Sequence, residues 1–81
     1  MKEIFDFTMP KLGEMMEDGR IIAWKKKAGE AIEKGEVIIA IETDKTILDV
    51  ESPVSGVLSE ILVSEGSTTP INTVLARIRT V

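Results

Sequence analysis

Two apolar runs on either side of a short polar segment constrain the fold of this chain more than any other feature. Residues 37–41 (VIIAI) precede the polar segment and residues 47–51 (ILDVE) follow it. Both runs are rich in β-branched residues and contain no Gly or Pro, so we interpret them as strands. Thr43, Asp44 and Lys45 between them predict a turn, because an Asp side chain can hydrogen-bond to its own backbone. The pattern therefore predicts a hairpin that presents one lysine at its tip, where a modifying enzyme can reach it.

The absence of two residue types excludes most catalytic and metal-binding functions. The 81 residues include no Cys, which rules out disulfides and thiolate metal sites. They include no His, which removes the commonest acid–base group near neutral pH and any Ser–His or Cys–His pair. Paired carboxylates need a cleft that separates their pKa values, and so small a domain has little room for one. We therefore expect a non-catalytic domain without a metal site.

Charge and hydropathy narrow the range of partners. With 14 acidic and 10 basic side chains the chain has a net charge of −4. This charge argues against nucleic acid, whose binding depends on neutralising phosphates. The one basic cluster, residues 25–27 (KKK), we interpret as a solvated strand end. No run approaches the roughly 20 apolar residues that span a bilayer, and the N-terminus has no signal or transit pattern. We expect a soluble domain that is monomeric when isolated and either cytoplasmic or already processed, with the prokaryotic cytoplasm preferred over the mitochondrial matrix.

Alternation of apolar and polar residues predicts strands along most of the chain. In the first strand Phe5, Phe7 and Met9 share one face. A helix over residues 14–34 is disfavoured, because two glycines interrupt it and its apolar residues make no continuous stripe. Short strands separated by Gly, Pro and Asn turns are typical of an all-β sandwich or barrel. The predicted strands are residues 4–9, 20–25, 37–41, 47–51, 57–63 and 73–79.

The two halves of the chain also correspond at an offset of 37 residues. At this offset Gly35 corresponds to Asn72, and Gly and Asn are the residue types that most readily adopt a left-handed backbone conformation. We interpret the correspondence as an internal duplication. At this offset the position equivalent to Lys45 is 82, just beyond the last residue of the sequence. If a two-fold axis relates the halves, both termini should therefore lie at the end of the domain opposite Lys45. The other matched pairs are Gly19 with Gly56, Ile21 with Leu58, Trp24 with Ile61, Gly29 with Gly66, Val37 with Val74, Ile38 with Leu75 and Ile41 with Ile78.

Four segments resemble those of a known family, and they occur in the same order. They are residues 9–13 (MPKLG), 24–30 (WKKKAGE), 41–46 (IETDKT) and 53–58 (PVSGVL). Together they resemble a lipoyl domain, which forms the N-terminal part of the acyltransferase (E2) component of 2-oxo acid dehydrogenase complexes. The resemblance implies a flattened β-barrel or sandwich of two four-stranded antiparallel sheets with quasi-two-fold symmetry. It also implies that residues 1–81 are a single N-terminal domain cut from a longer E2 chain.

The resemblance implies that Lys45 carries lipoate in amide linkage, which makes the domain a carrier rather than an enzyme. The cofactor would take an acyl group from the decarboxylase (E1), pass it to coenzyme A at the E2 core, and be reoxidised by the flavoprotein E3, dihydrolipoamide dehydrogenase. A lipoate ligase or lipoyl transferase would load it. The segment MEDG at residues 16–19 favours a pyruvate, branched-chain or acetoin complex over a 2-oxoglutarate complex.

The resemblance also assigns roles to residues around Lys45. The residues expected to shape the turn or to be recognised by the lipoylating enzyme are Glu42, Thr43, Asp44, Thr46 and Gly56, the last through a tight-turn backbone. The loop after the first strand is a candidate contact for E1, and its residues are Met9, Pro10, Lys11, Leu12, Gly13 and Glu14. Packing of Met9, Leu12 and Met15 into the core is an equal alternative. Trp24 we expect to be part of the core.

Two other functions stay open. A biotinyl carrier domain has the same fold and a lysine at the same hairpin, but that family resembles Met-Lys-Met there, whereas Asp44 and Thr46 flank Lys45. An unmodified β-sandwich interaction module would expose an apolar patch and would not depend on Lys45.

Overall fold

The structure is a computed structural model that describes residues 3–80, and within this range it consists of eight β-strands and no helix. The prediction of an all-β chain is confirmed, as is the prediction that residues 14–34 are not helical. No helix among residues 3–80 is long and apolar enough to cross a membrane. The strands are β1 (Glu3–Thr8), β2 (Asp18–Trp24), β3 (Ala31–Ile32), β4 (Val37–Glu42), β5 (Ile47–Glu51), β6 (Gly56–Ile61), β7 (Thr68–Pro70) and β8 (Val74–Thr80).

The strands form two four-stranded antiparallel sheets. The order is β1-β8-β6-β3 in one sheet and β5-β4-β2-β7 in the other. This arrangement confirms the predicted sandwich of two four-stranded sheets. The sequence pattern predicted six of the strands and missed β3 and β7, which have only two and three residues. Strands of this length are too short to show a period-two alternation.

The core lies between the sheets and is built from alternate residues of the long strands. Phe7 and Met9 are buried, as the pattern predicts, and Phe5 packs against them in part. In β4 the alternation does not hold, since residues 38–41 are all buried, and the pairing with β5 has a register shift between Val37 and Ile39. Together these side chains supply one continuous apolar core, which is what a chain without disulfides requires.

Quasi-two-fold symmetry relates the two sheets, as the 37-residue offset predicts. Adding 37 to the numbers of β2, β3 and β4 gives β6, β7 and β8, which occupy the matching positions in the other sheet. The backbone follows the same rule, since every residue with positive φ among residues 3–80 has its mate 37 positions away. Gly29 and Gly66 have φ of 96° and 90°, and Gly35 and Asn72 have φ of 90° and 71°. The predicted left-handed conformation of Gly35 and Asn72 is confirmed.

The symmetry also shows what occupies the position equivalent to the Lys45 hairpin. Thr43 and Thr46 pair across the base of that hairpin, with the Thr43 hydroxyl donating to the Thr46 carbonyl at 3.0 Å. At the equivalent position Glu3 pairs with Thr80, and the Thr80 hydroxyl donates to the Glu3 carbonyl at 3.4 Å. The described ends of the chain therefore lie where the other half of the molecule has the lysine hairpin. Met1 and Val81, which the prediction about the termini concerns, lie outside the described residues.

Candidate functional site

Lys45 lies at the tip of a hairpin with a two-residue loop. Glu42 at the end of β4 pairs with Ile47 at the start of β5, and the Thr43 amide donates to the Thr46 carbonyl at 2.7 Å. Asp44 and Lys45 are left as the loop, and neither has a positive φ. The loop is thus not of the primed type that most two-residue hairpins adopt, and it needs another source of hydrogen bonds.

The hydroxyl of Thr43 supplies those hydrogen bonds. It donates to the Thr46 carbonyl at 3.0 Å, and it accepts from the backbone amides of Lys45 at 3.3 Å and Thr46 at 3.2 Å. Asp44 is the residue predicted to stabilise the turn, but its carboxylate makes no hydrogen bond among residues 3–80. The turn role therefore belongs to Thr43. This role of Thr43 could have been predicted from the sequence, because Thr hydroxyls tend to hydrogen-bond to the backbone within turns.

The Lys45 side chain is exposed, and its amine forms neither an ion pair nor a hydrogen bond with the rest of residues 3–80. The neighbouring Glu42 carboxylate lies 3.9 Å from the guanidinium of Arg20 on β2, away from the tip. No group of acidic or other ligating side chains in the described part of the chain is placed to hold a metal ion. The amine is thus available for covalent chemistry with another molecule.

A cleft of about 570 Å³ lies between the hairpin and the loop that follows β1. Its apolar lining comes from Leu12, Met15 and Met16 of the loop and from Leu48 of β5. Glu14 and Asp44 add carboxylates to its border. The cleft is partly apolar and Lys45 is one of its lining residues, which suits it to an extended, largely apolar group attached to that lysine.

The loop that borders the cleft is the place where the two halves of the molecule differ in length. The Met9 backbone bonds to Asn72 and Thr73, just as the Ser52 backbone bonds to residues 35 and 36, so Met9 and Ser52 occupy equivalent positions. Eight residues (10–17) follow Met9 before β2 begins, whereas three (53–55) follow Ser52 before β6 begins. The cleft beside Lys45 therefore depends on extra chain that the other half lacks.

The residues of this loop divide between core and surface. Met9 is fully buried in the core, and Leu12 is partly buried against it. Met15, in contrast, is 89% exposed beside the cleft. Packing into the core is thus confirmed for Met9 and Leu12 and is wrong for Met15. Contact of the loop with E1 stays a prediction, and the residues of that prediction exposed to a partner are Lys11, Gly13 and Glu14, with Pro10 half-buried.

Two further residues singled out from the sequence serve the fold. Gly56 does not have a left-handed backbone conformation. It begins β6, where a Cβ atom would overlap the carbonyl oxygen of Arg79 on β8, so its role is close strand packing and not the expected tight turn. Trp24 packs against the core, and its indole N–H donates to the Val63 carbonyl at 2.9 Å. This placement confirms the interpretation of Trp24 as a core residue.

Residues 5–78 match the family model Biotin_lipoyl, described as biotin-requiring enzyme. The chain belongs to the biotin/lipoyl family. Within this family it resembles the lipoyl domain of the 2-oxoglutarate dehydrogenase complex from Azotobacter vinelandii, a solution structure that it matches with a TM-score of 0.74 and 37% sequence identity. That match covers 90% of this chain and 92% of the solved domain. The identity and the coverage place the chain among the lipoyl domains of the biotin/lipoyl family.

Curated members of the biotin/lipoyl family extend the comparison to whole proteins. The dihydrolipoyllysine-residue acetyltransferase component of the pyruvate dehydrogenase complex of Staphylococcus epidermidis is 38% identical over 74 residues. The component of the same name from Staphylococcus aureus is 36% identical over 74 residues. Each match covers 91% of this chain and 17% of the relative. The chain thus spans about a sixth of the length of these relatives.

Proposed function

We propose that this lipoyl domain carries lipoate on Lys45, in an amide bond to the side-chain nitrogen. The observation that carries the proposal is an exposed lysine amine, without an ion pair in the described chain, at the tip of a two-residue loop in a lipoyl-domain fold. The partly apolar cleft beside it fits the hydrocarbon part of such a group. When bound, the group supplies acyl and electron transfer that no side chain of this domain provides.

The residues around Lys45 have separate tasks in this proposal. Thr43 holds the loop so that the lysine projects from a fixed position. Asp44 and Thr46 are exposed on either side of it and are the residues that a lipoate ligase or lipoyl transferase would recognise. Glu42, half-buried at the base of the hairpin, is the third candidate for that recognition. A fixed tip matters because transfer to an amine requires its placement to within a fraction of an ångström.

We further propose that the domain serves within the E2 component of a 2-oxo acid dehydrogenase complex, as one domain of a longer acyltransferase. The partners would be E1, the E2 catalytic core and E3, with the loop after β1 as the E1 contact. The names of the curated relatives support a pyruvate complex. The MEDG segment at residues 16–19 favours a pyruvate, branched-chain or acetoin complex over a 2-oxoglutarate complex. A location in the prokaryotic cytoplasm is part of this proposal.

Intact mass after enzymatic loading tests the assignment of Lys45. The domain is incubated with lipoate, ATP and a lipoate ligase, and a parallel sample receives biotin and a biotin ligase. We expect one lipoyl increment in the wild-type chain and in Lys34→Arg, and none in Lys45→Arg. Lys34 is the matched control because it is also an exposed lysine in a turn. Circular dichroism of each variant shows whether the fold is retained.

Three outcomes would contradict the proposal. A lipoyl increment that survives in Lys45→Arg would place the modification elsewhere. A biotinyl increment without a lipoyl one would make the domain a biotin carrier. No increment under either condition would favour an unmodified interaction module.

A further inference from the structure

Two methionine side chains lie in the cleft beside Lys45. There is no Cys, and two of the four Met residues are the neighbours Met15 and Met16, which both line the cleft. Their surroundings differ, since the Met15 side chain is 89% exposed whereas Met16 is half-buried and packs against the core. Met9, the remaining described methionine, is fully buried. Oxidation of a thioether follows its exposure, so these three sites differ in reactivity.

Met16 holds the loop in place through its sulfur atom. The backbone amide of Leu12 donates to the Met16 sulfur at 3.0 Å, and the Met16 amide donates to the Gly13 carbonyl at 3.2 Å. The terminal methyl of Met16 lies 2.9 Å from where a Cβ of residue 19 would be, so it fills the space that Gly19 leaves open. The sulfur atom thus ties both ends of the turn together on the side of the loop that faces the protein.

We propose that Met15 and Met16 form a peroxide-modification site that controls the loop beside Lys45. Met15 takes the first oxygen atom and leaves the loop in place, because its side chain is exposed and makes no hydrogen bond among residues 3–80. Oxidation of Met16 releases the loop, because the added oxygen has no room between the sulfur and the Leu12 amide, which lie 3.0 Å apart, and makes a half-buried side chain polar. This inference concerns the loop itself and does not depend on the group that Lys45 carries.

The chemistry is a two-electron oxygen transfer from hydrogen peroxide. A sulfur lone pair attacks one peroxide oxygen, the O–O bond breaks and an S–O bond forms. The other oxygen leaves as water after taking the proton of the transferred oxygen. Sulfur is oxidised and peroxide is reduced. In Met16 the new oxygen either stands between the sulfur and the Leu12 amide, which are 3.0 Å apart, or brings a polar group into a half-buried apolar position.

Graded peroxide treatment of the 81-residue chain tests the proposal. Fragment mass spectrometry assigns sulfoxide to each methionine, and ¹H–¹⁵N spectra follow the Leu12 amide. We expect Met15 to be oxidised at least about ten-fold faster than Met16, with Met9 the slowest. The Leu12 resonance should stay in place while only Met15 is oxidised and should move as Met16 sulfoxide accumulates. Methionine sulfoxide reductases should reverse both changes.

Two matched variants separate the two methionines. Met15→Leu keeps an apolar side chain at the exposed position, and at limiting peroxide it should raise the fraction of Met16 sulfoxide. Met16→Leu removes the sulfur acceptor, so the Leu12 resonance should differ before treatment and should not move on oxidation. The proposal is overturned if Met9 or Met16 is oxidised as fast as Met15 in the wild-type chain. It is also overturned if the Leu12 resonance stays unchanged while Met16 sulfoxide accumulates. This second outcome is measured on the wild-type chain and does not depend on whether a variant folds.

Discussion

Thr43 makes three hydrogen bonds within the loop that presents Lys45, and Asp44 beside it makes none in the described chain. The two side chains are both short and polar, and either type can stabilise a turn. Their positions determine which of them stabilises the turn. Thr43 lies at the base of the loop, where its hydroxyl reaches the backbone of Lys45 and Thr46. Asp44 is thereby left free for recognition by another protein.

Substitution of these neighbours distinguishes turn formation from recognition. Thr43→Val keeps the side-chain shape but removes all three hydrogen bonds, so it should lower the free energy of unfolding by about 1 kcal/mol. It should also slow lipoylation, because the tip becomes less fixed. Asp44→Asn should slow lipoylation without changing stability. Urea denaturation and the initial rate of loading by a lipoate ligase measure the two effects.

A loss of stability in Asp44→Asn as large as that in Thr43→Val would contradict this division of roles. Equal loading rates for Asp44→Asn and the wild-type domain would leave Asp44 without a part in recognition. For the stability measurement Thr46→Val serves as the control for a side-chain change at the tip, because only the backbone groups of Thr46 take part in the bonds described.

At the scale of elements, two turns on either side of β3 share one design. Gly29 and Gly35 have positive φ, and each is followed by a Glu whose carboxylate accepts a backbone amide three residues back. An ion pair connects the two turns, with the Lys26 ammonium 2.8 Å from the Glu36 carboxylate. A strand of only two residues is thus held by the turns that flank it.

The ion pair makes stability depend on pH at both extremes. The hydrogen bond from Lys26 lowers the pKa of Glu36 below its ordinary 4.5, and the same bond raises the pKa of Lys26 above its ordinary 10.5. The contribution of Glu36 is therefore complete above pH 4.5 and is lost as the pH falls through the lowered pKa. The contribution of Lys26 is complete below pH 10.5 and is lost as the pH rises through the raised pKa.

Glu36→Gln should lower the melting temperature between those limits and have progressively less effect beyond them. The glutamine oxygen can still accept the Glu33 amide, so the substitution removes mainly the charge. Thermal unfolding followed by circular dichroism across the pH range measures the difference from wild type. Glu51→Gln is the control, because Glu51 is exposed and has no ion pair among residues 3–80. A difference that stays constant from neutral pH to well below 4.5 would rule out the pair as its source.

At the scale of the whole molecule, quasi-two-fold symmetry makes the lysine hairpin and the paired chain ends equivalent positions. Glu3 and Thr80 are paired like Thr46 and Thr43, and the positive-φ residues repeat at the same offset of 37. The two halves differ mainly in the loop after β1, which borders the cleft. The lysine hairpin and the cleft thus lie at one end of a scaffold whose strand framework is nearly the same at both ends.

A circular permutant tests this equivalence. A short polar linker joins the original ends, and the chain is opened between Asp44 and Lys45. We expect the permutant to fold, because the break and the new loop simply exchange symmetry-related positions. It should not be lipoylated, because Lys45 is then at a chain end and not in a hairpin. Circular dichroism, thermal unfolding and intact mass after loading give the three readouts.

The matched permutant has the same linker but is opened between Ser64 and Glu65, two exposed residues of a turn. It should both fold and be lipoylated. Failure of the first permutant to fold while the second one folds would show that the hairpin is needed for folding as well as for presentation of the lysine.

Local sequence determined the features that depend on neighbouring residues. The β-branched runs around residues 42–46 indicated the hairpin, and the repeat at 37 residues indicated the duplication. Gly35 and Asn72 were identified as left-handed positions for the same reason, since backbone preference is a property of the residue itself. These features survive in the structure because the long strands are periodic enough for one face to be distinguished from the other.

Tertiary structure decided the features that depend on contacts through space. It placed Leu12 against the core and Met15 in solvent, although both are apolar residues of one loop. It replaced a turn role for Gly56 by close packing against Arg79, and it formed β3 and β7 from segments too short to show a pattern. The physical reason is common to all of them. Periodicity reports which face a side chain occupies, whereas register and loop packing determine which atoms it meets.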